Sequence, residues 1–269
     1  MTPFTRSPRV FYGWYVLAAS FAILFLNGGG RNTIGIMFKP MADEFGWSRG
    51  AISAAVFANL AVYALASILM GRVYDRHGPK WVVAGSTILF SAGFALMATM
   101  DSLWQFLLYY GLLNAAGLGG ITVPMFGSII GNWFERRRGL AVSLALAGSC
   151  LGQFFLLPVF SSLVIGSGWR VTSLWIAGAS VALNLPLVFA VIRGDPAYYH
   201  LEPYGSDEAA RPAKAAAAAQ IPGLTLGQAL RTRSLWMFTI IMFVCGGGDY
   251  LVITHLVPMA TDYGLPAAT

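Results

Sequence analysis

Apolar residues run along this chain in seven long blocks, at about residues 13–38, 51–71, 81–100, 103–132, 139–165, 170–193 and 235–260. Each block is close to the roughly 20 helical residues needed to cross a hydrocarbon core of about 30 Å, which predicts seven membrane-spanning helices. Six of them come before a single long polar stretch, residues 194–234, rich in Ala, Pro and Gly with mixed charge. That composition predicts a linker, with a short surface helix near LTLGQALRTRS leading into the seventh span.

Composition agrees with the pattern: 57% of the 269 residues are hydrophobic and 10% are charged, too few charges to cover a water-facing surface. A soluble enzyme is excluded on that ground, and no metal cluster, catalytic triad or phosphate loop is visible. GLGG in the fourth block is no nucleotide fingerprint, because no strand precedes it and no acidic partner follows at the right spacing. The sequence calls for no cofactor. Cys150 and Cys245 both lie in apolar blocks and read as small hydrophobes.

The net charge of +6 sits in short loops, so it points to topology rather than to nucleic acid. With the N-terminus cytoplasmic, thirteen of the seventeen cations fall inside, among them Arg72, Arg76, Lys80 and Arg136–Arg138. Lys39, Arg49 and Arg170 fall outside and Arg31 lies within a helix, the bias of a multi-pass protein with a cytoplasmic N-terminus. The first block lacks a cleavage site and is read as a retained helix.

A displacement of 218 residues lays Asn27–Ser48 on Cys245–Pro266 with seven of 22 positions identical, including a triple glycine and a Pro-Met-Ala run. Chance would give roughly two. Both copies run from inside to outside, which predicts a parallel duplication of a six-helix unit that this chain enters a second time and leaves after one helix. The chain is therefore expected to be truncated.

Between the second and third blocks stands GRVYDRHGPK, with Gly71, Asp75, Arg76, Gly78 and Lys80. Gly71 is suited to close helix approach, Gly78 to a tight turn and the cations to anchoring the loop, with Asp75 free to pair with them or cap a helix. This loop resembles the signature of the major facilitator superfamily. NWFERRRG, the start YGWYV, FKPMADEFGWSRGAIS and the repeat THLVPMATDYG are similar to the monocarboxylate-transporter-like and oxalate/formate-antiporter-like branch. The resemblance implies an all-α membrane protein of the major-facilitator fold. It divides the chain into an N-terminal six-helix bundle (1–193), a cytoplasmic linker (194–234) and the first helix of an incomplete second bundle (235–269). It also implies a home in the cell inner membrane and alternating access. The implied substrate is a small carboxylate, moved across the bilayer with protons or against a counter-anion. A role for Asp75 in holding the two halves together follows from the resemblance alone.

Ionisable groups inside spans are costly and mark function by default. Arg31 follows the first triple glycine, about 27 Å from the start of its helix, where a guanidinium suits a carboxylate or snorkels outward. Asp249 is its counterpart in the repeat, and the pair is expected to gate the pathway or couple protons, against the plainer role of lining a wet cavity. His255, two turns further on, is expected either to share that proton or to sit at the interface. Asn27, Tyr63 and Asn114 are mid-span polar groups that line the cavity or bond between helices, and Asn114 is ranked first because fourth helices line the cavity in the family. The competing expectations are a non-transporting half that binds a partner, and carriage of another substrate such as cyanate, nitrate or a drug.

Overall fold

The computed structural model describes residues 11–194, 196, 202–205 and 226–262. Two compact units emerge, Met1–Asp207 and Glu208–Thr269.

The first unit is built of α1 (Gly13–Asn32), α2 (Ile34–Phe45), α3 (Arg49–His77), α4 (Pro79–Met97), α5 (Leu103–Phe106), a π-helical stretch (Leu107–Asn114), α6 (Ala115–Leu118), α7 (Val123–Trp133) and α8 (Arg138–Ala190). The elements combine into six spans. α1 and α2 meet at Thr33, so the first span runs from Tyr12 to Phe45, longer than the predicted 13–38. Lys39, expected in a loop, lies inside α2 together with Pro40. The second span ends and the third begins at one residue: Gly78, at φ +80°, donates its N–H to the Tyr74 carbonyl and is followed by Pro79 at the first helical position.

α8 has 53 residues, about 80 Å of helix, twice what a bilayer needs. Gly168, at φ 81° and ψ 162°, breaks it into a hairpin, which restores the predicted fifth and sixth spans. The fourth span departs further from the expected single helix. It passes through a π-helical stretch and stops at Leu118, and α7 restarts at Val123 with Thr122 as its cap.

Two buried clusters fill the unit lengthwise. Val16, Ile23, Val83, Phe126, Ile130 and Trp133 pack toward the end that carries Arg136–Arg138, and Met37, Met41, Phe90, Phe94, Phe106 and Trp169 pack toward the other. The outer faces keep large apolar side chains such as Phe57, Trp104, Phe154 and Ile165 exposed, as expected of lipid-solvated helices.

Small residues let the spans approach. A Cβ on Gly148 would stand 2.6 Å from the Phe21 carbonyl, one on Gly29 would meet Leu156 Cβ at 2.5 Å, and one on Gly152 would run into the Phe25 carbonyl. Gly28 and Gly29 of α1 therefore serve close packing with the fifth span, Gly30 faces Ile176 of the sixth, and the helix continues through all three. Gly71 does otherwise than expected: a Cβ there would meet nothing within 4 Å among the described residues.

The basic end is tied together by hydrogen bonds. Tyr204 donates its N–H to the Trp133 carbonyl and accepts from the Glu135 and Arg136 N–H groups, and its ring packs with Phe11, Trp14 and Phe134. Asn132 and Trp133 side chains donate to the carbonyls of Gly194 and Arg193. Residues 202–205, read from sequence as linker, are thus part of the first unit, bent at Gly205 with φ +79°.

The second unit contains α9 (Leu226–Ala229) and α10 (Arg233–Asp262), a continuous 30-residue helix where the sequence predicts the seventh span.

Candidate functional site

Within the first unit a small cavity of about 70 Å³ lies where the two buried clusters meet. The first span contributes Leu24, Asn27, Gly28 and Arg31, the second Tyr63, the interrupted fourth Leu118 and Ile121–Val123, and the fifth Ser149. Asn27 and Arg31 share one face of α1 because they are four residues apart. Arg31 lies 19 residues beyond Tyr12 in a 34-residue span, just past its midpoint and so in the outer half.

The Arg31 guanidinium carbon sits 4.7 Å from the centre of the Tyr63 ring. A ring face holds a cation without neutralising it. Asn27 is 4% exposed; its Nδ2 donates to the Ile23 carbonyl at 2.7 Å, and its Oδ1 has no partner among the described residues. Hydroxyl groups of Thr122 and Ser149 complete the polar wall.

Three expected residues are therefore brought together: Arg31, Asn27 and Tyr63. Asn114 is not among them; of the two roles expected of it, the one seen is the bond between helices. It is buried at 1% exposure, donates from Nδ2 to the Phe90 carbonyl at 3.3 Å, and lies where a Cβ on Gly93 would touch it. The close fit of the fourth span on the third has absorbed its polar group. Asn59 behaves alike, donating to the Tyr110 carbonyl at 2.7 Å. The side chains of Asp249 and His255 lie outside the described residues.

Thr122, Val123 and Ser149 were missed from sequence. Gly119-Gly120 followed by Pro124 is the local signal for a helix interruption, and apolar length alone concealed it.

The loop carrying Asp75 is exposed, and neither Asp75 nor Arg76 makes an ion pair among the described residues, so the expected pairing inside the loop is not formed. Lys80 instead lies 5.0 Å from the Phe189 ring centre at the end of the sixth span. At the opposite end Arg170 pairs with Glu44, donates to the Met100 carbonyl and stacks 4.4 Å from the Trp169 ring, while Trp169 Nε1 donates to Glu44 at 2.7 Å. No group of three or more potential metal ligands occurs among the described residues.

Comparison with known proteins adds lineage to this geometry. Monocarboxylate transporter 11 of Homo sapiens is 32% identical over 261 residues, covering 94% of this chain and 50% of its own length. The oxalate:formate antiporter of Oxalobacter formigenes is 24% identical over 259 residues, covering 94% of this chain and 57% of its own length. MFS-type transporter 1 of an Ophiocordyceps species is 29% identical over 184 residues, 66% of this chain and 41% of that protein. The chain spans about half the length of these curated relatives. The sequence profile described as Major Facilitator Superfamily matches residues 20–269. With its spans, its loop and this match, the chain is a multi-pass membrane protein that belongs to the Major Facilitator Superfamily.

Proposed function

We propose that this chain forms half of the pathway of a secondary transporter for small organic anions, working by alternating access in the cell inner membrane with its N-terminus cytoplasmic. One observation carries the reading: the half-buried Arg31 guanidinium, in mid-span, lines a cavity that also holds Asn27, Tyr63, Thr122 and Ser149. Ionisable groups inside spans mark function by default, and a guanidinium matches a carboxylate in a two-point fashion. The names of the relatives, a monocarboxylate transporter and an oxalate:formate antiporter, support a mono- or small dicarboxylate. Transport runs with protons or in exchange for a counter-anion. The concentration of cations in the loops at one end supports the orientation.

The test is counterflow. Protein purified from its native membrane is reconstituted into vesicles loaded with unlabelled acetate, lactate, formate or oxalate, and entry of the labelled anion is followed. Transient accumulation of at least one is expected, and its loss is expected in Arg31→Gln. Failure to exchange any of the four contradicts the substrate class.

A further inference from the structure

We propose that the interruption of the fourth span is a second anion-holding element of the cavity, in which the backbone N–H groups of Thr122 and Val123 hold one substrate oxygen while Arg31 holds another. This rests on the carboxylate reading of the cavity.

A helix start leaves its first N–H groups without intrahelical partners, and the aligned peptide dipoles make that end electropositive. In most spans such ends lie in the polar loops. Here the 11-residue α7 begins inside the fourth span, and Ile121, Thr122 and Val123 line the same cavity as Arg31. The local accounting identifies the available donors. Phe126 donates to the Thr122 carbonyl, Met125 donates to Thr122 Oγ1, and Pro124 has no N–H. Among the described residues the N–H groups of Thr122 and Val123 make no hydrogen bond. Donors of this kind are the backbone form of an anion site.

The interruption is fixed by packing. A Cβ on Gly119 would meet Ala66 at 2.6 Å, and one on Gly120 would run into Ser86, so the second and third spans hold this segment in place.

Asn27 supplies an independent pointer to a ligand. Its side chain lines the cavity while almost fully buried, its amide donor is committed to α1, and its Oδ1 is left as an unpartnered acceptor. An unpaired buried acceptor is costly, and an O–H group brought by the ligand satisfies it. A small carboxylate with an O–H, from a hydroxyl substituent or a protonated carboxyl, meets all three elements: anionic oxygens toward Arg31 and the N–H pair, and the O–H toward Asn27.

The backbone donor is removable without breaking the helix. Thr122 is already extended (φ −93°, ψ 152°), as a residue before proline requires, and Val123 occupies the first helical position, which proline favours. Counterflow of labelled lactate and labelled oxalate is measured for wild type, Arg31→Gln, Val123→Ala and Val123→Pro, each purified from native membranes. Val123→Ala reports the loss of the side chain alone. Val123→Pro is expected to raise the half-saturating concentration a further tenfold, roughly, the usual scale for a hydrogen bond to a charged group. If Val123→Pro does not reach the membrane, the backbone ester at Val123 replaces it, with the same expectation. Equal values for the proline or ester form and Val123→Ala, with loss in Arg31→Gln, overturn this inference and leave the cavity reading standing. Wild-type protein that exchanges neither anion overturns both.

Discussion

A half-buried arginine in mid-span needs support, and Tyr63 provides it through the face of its ring rather than through its hydroxyl. The account therefore predicts that Tyr63→Phe retains anion exchange close to wild type, whereas Tyr63→Leu loses about 0.5–2 kcal/mol of cation–ring attraction. Paired affinities of the two variants check this, and equal defects would show that the hydroxyl matters instead. At the far end, Glu44 and Arg170 pair with side chains 40% and 35% exposed, so solvent screens them. Glu44→Gln should cost less than about 1 kcal/mol in thermal unfolding. Arg31, Asn27 and Tyr63 were legible in the sequence because charge and amide groups stand out in apolar blocks. Asn114 stood out equally and went elsewhere, since which face of a span meets the cavity depends on its neighbours. Thr122 and Ser149 were illegible for the opposite reason: a hydroxyl is unexceptional inside a membrane helix.

Among the elements, the first and fifth spans approach closely enough for glycine backbone to lie against backbone. Gly152 lies against the Phe25 carbonyl, while Gly178, on the sixth span, has nothing within 4 Å of its would-be Cβ. Gly152→Ala is therefore expected to destabilise the unit by about 1–3 kcal/mol, the usual scale of overpacking, and Gly178→Ala to change it by less than about 0.5 kcal/mol. Thermal melts of the two in detergent decide; similar melting points would mean that the spans part freely. The number and order of the six spans were readable from block length, because a bilayer sets that length. Their interruptions were not. Leu107–Asn114 is as apolar as its neighbours yet winds as a π-helix, and only the glycine pair before Pro124 hinted that the fourth span stops and restarts. Pro203-Tyr204-Gly205 was an unread turn signal in a stretch whose composition resembled linker, and Tyr204 binds it to the basic end.

For the molecule as a whole, loop charge predicts the orientation. In a cysteine-free background, Asp101→Cys should react with a membrane-impermeant thiol reagent on intact cells, and Arg76→Cys only after permeabilisation; the reverse would invert the topology. Family membership is carried by the match across residues 20–269, whereas substrate rests on the cavity. The most direct test of that assignment is the exchange of labelled small carboxylates by vesicles holding the native protein, compared with Arg31→Gln at equal protein content. Exchange of at least one such anion by wild type, reduced by Arg31→Gln to the level of protein-free vesicles, is the predicted result. Undiminished exchange in the variant would show that Arg31 does not hold the substrate and would contradict the account.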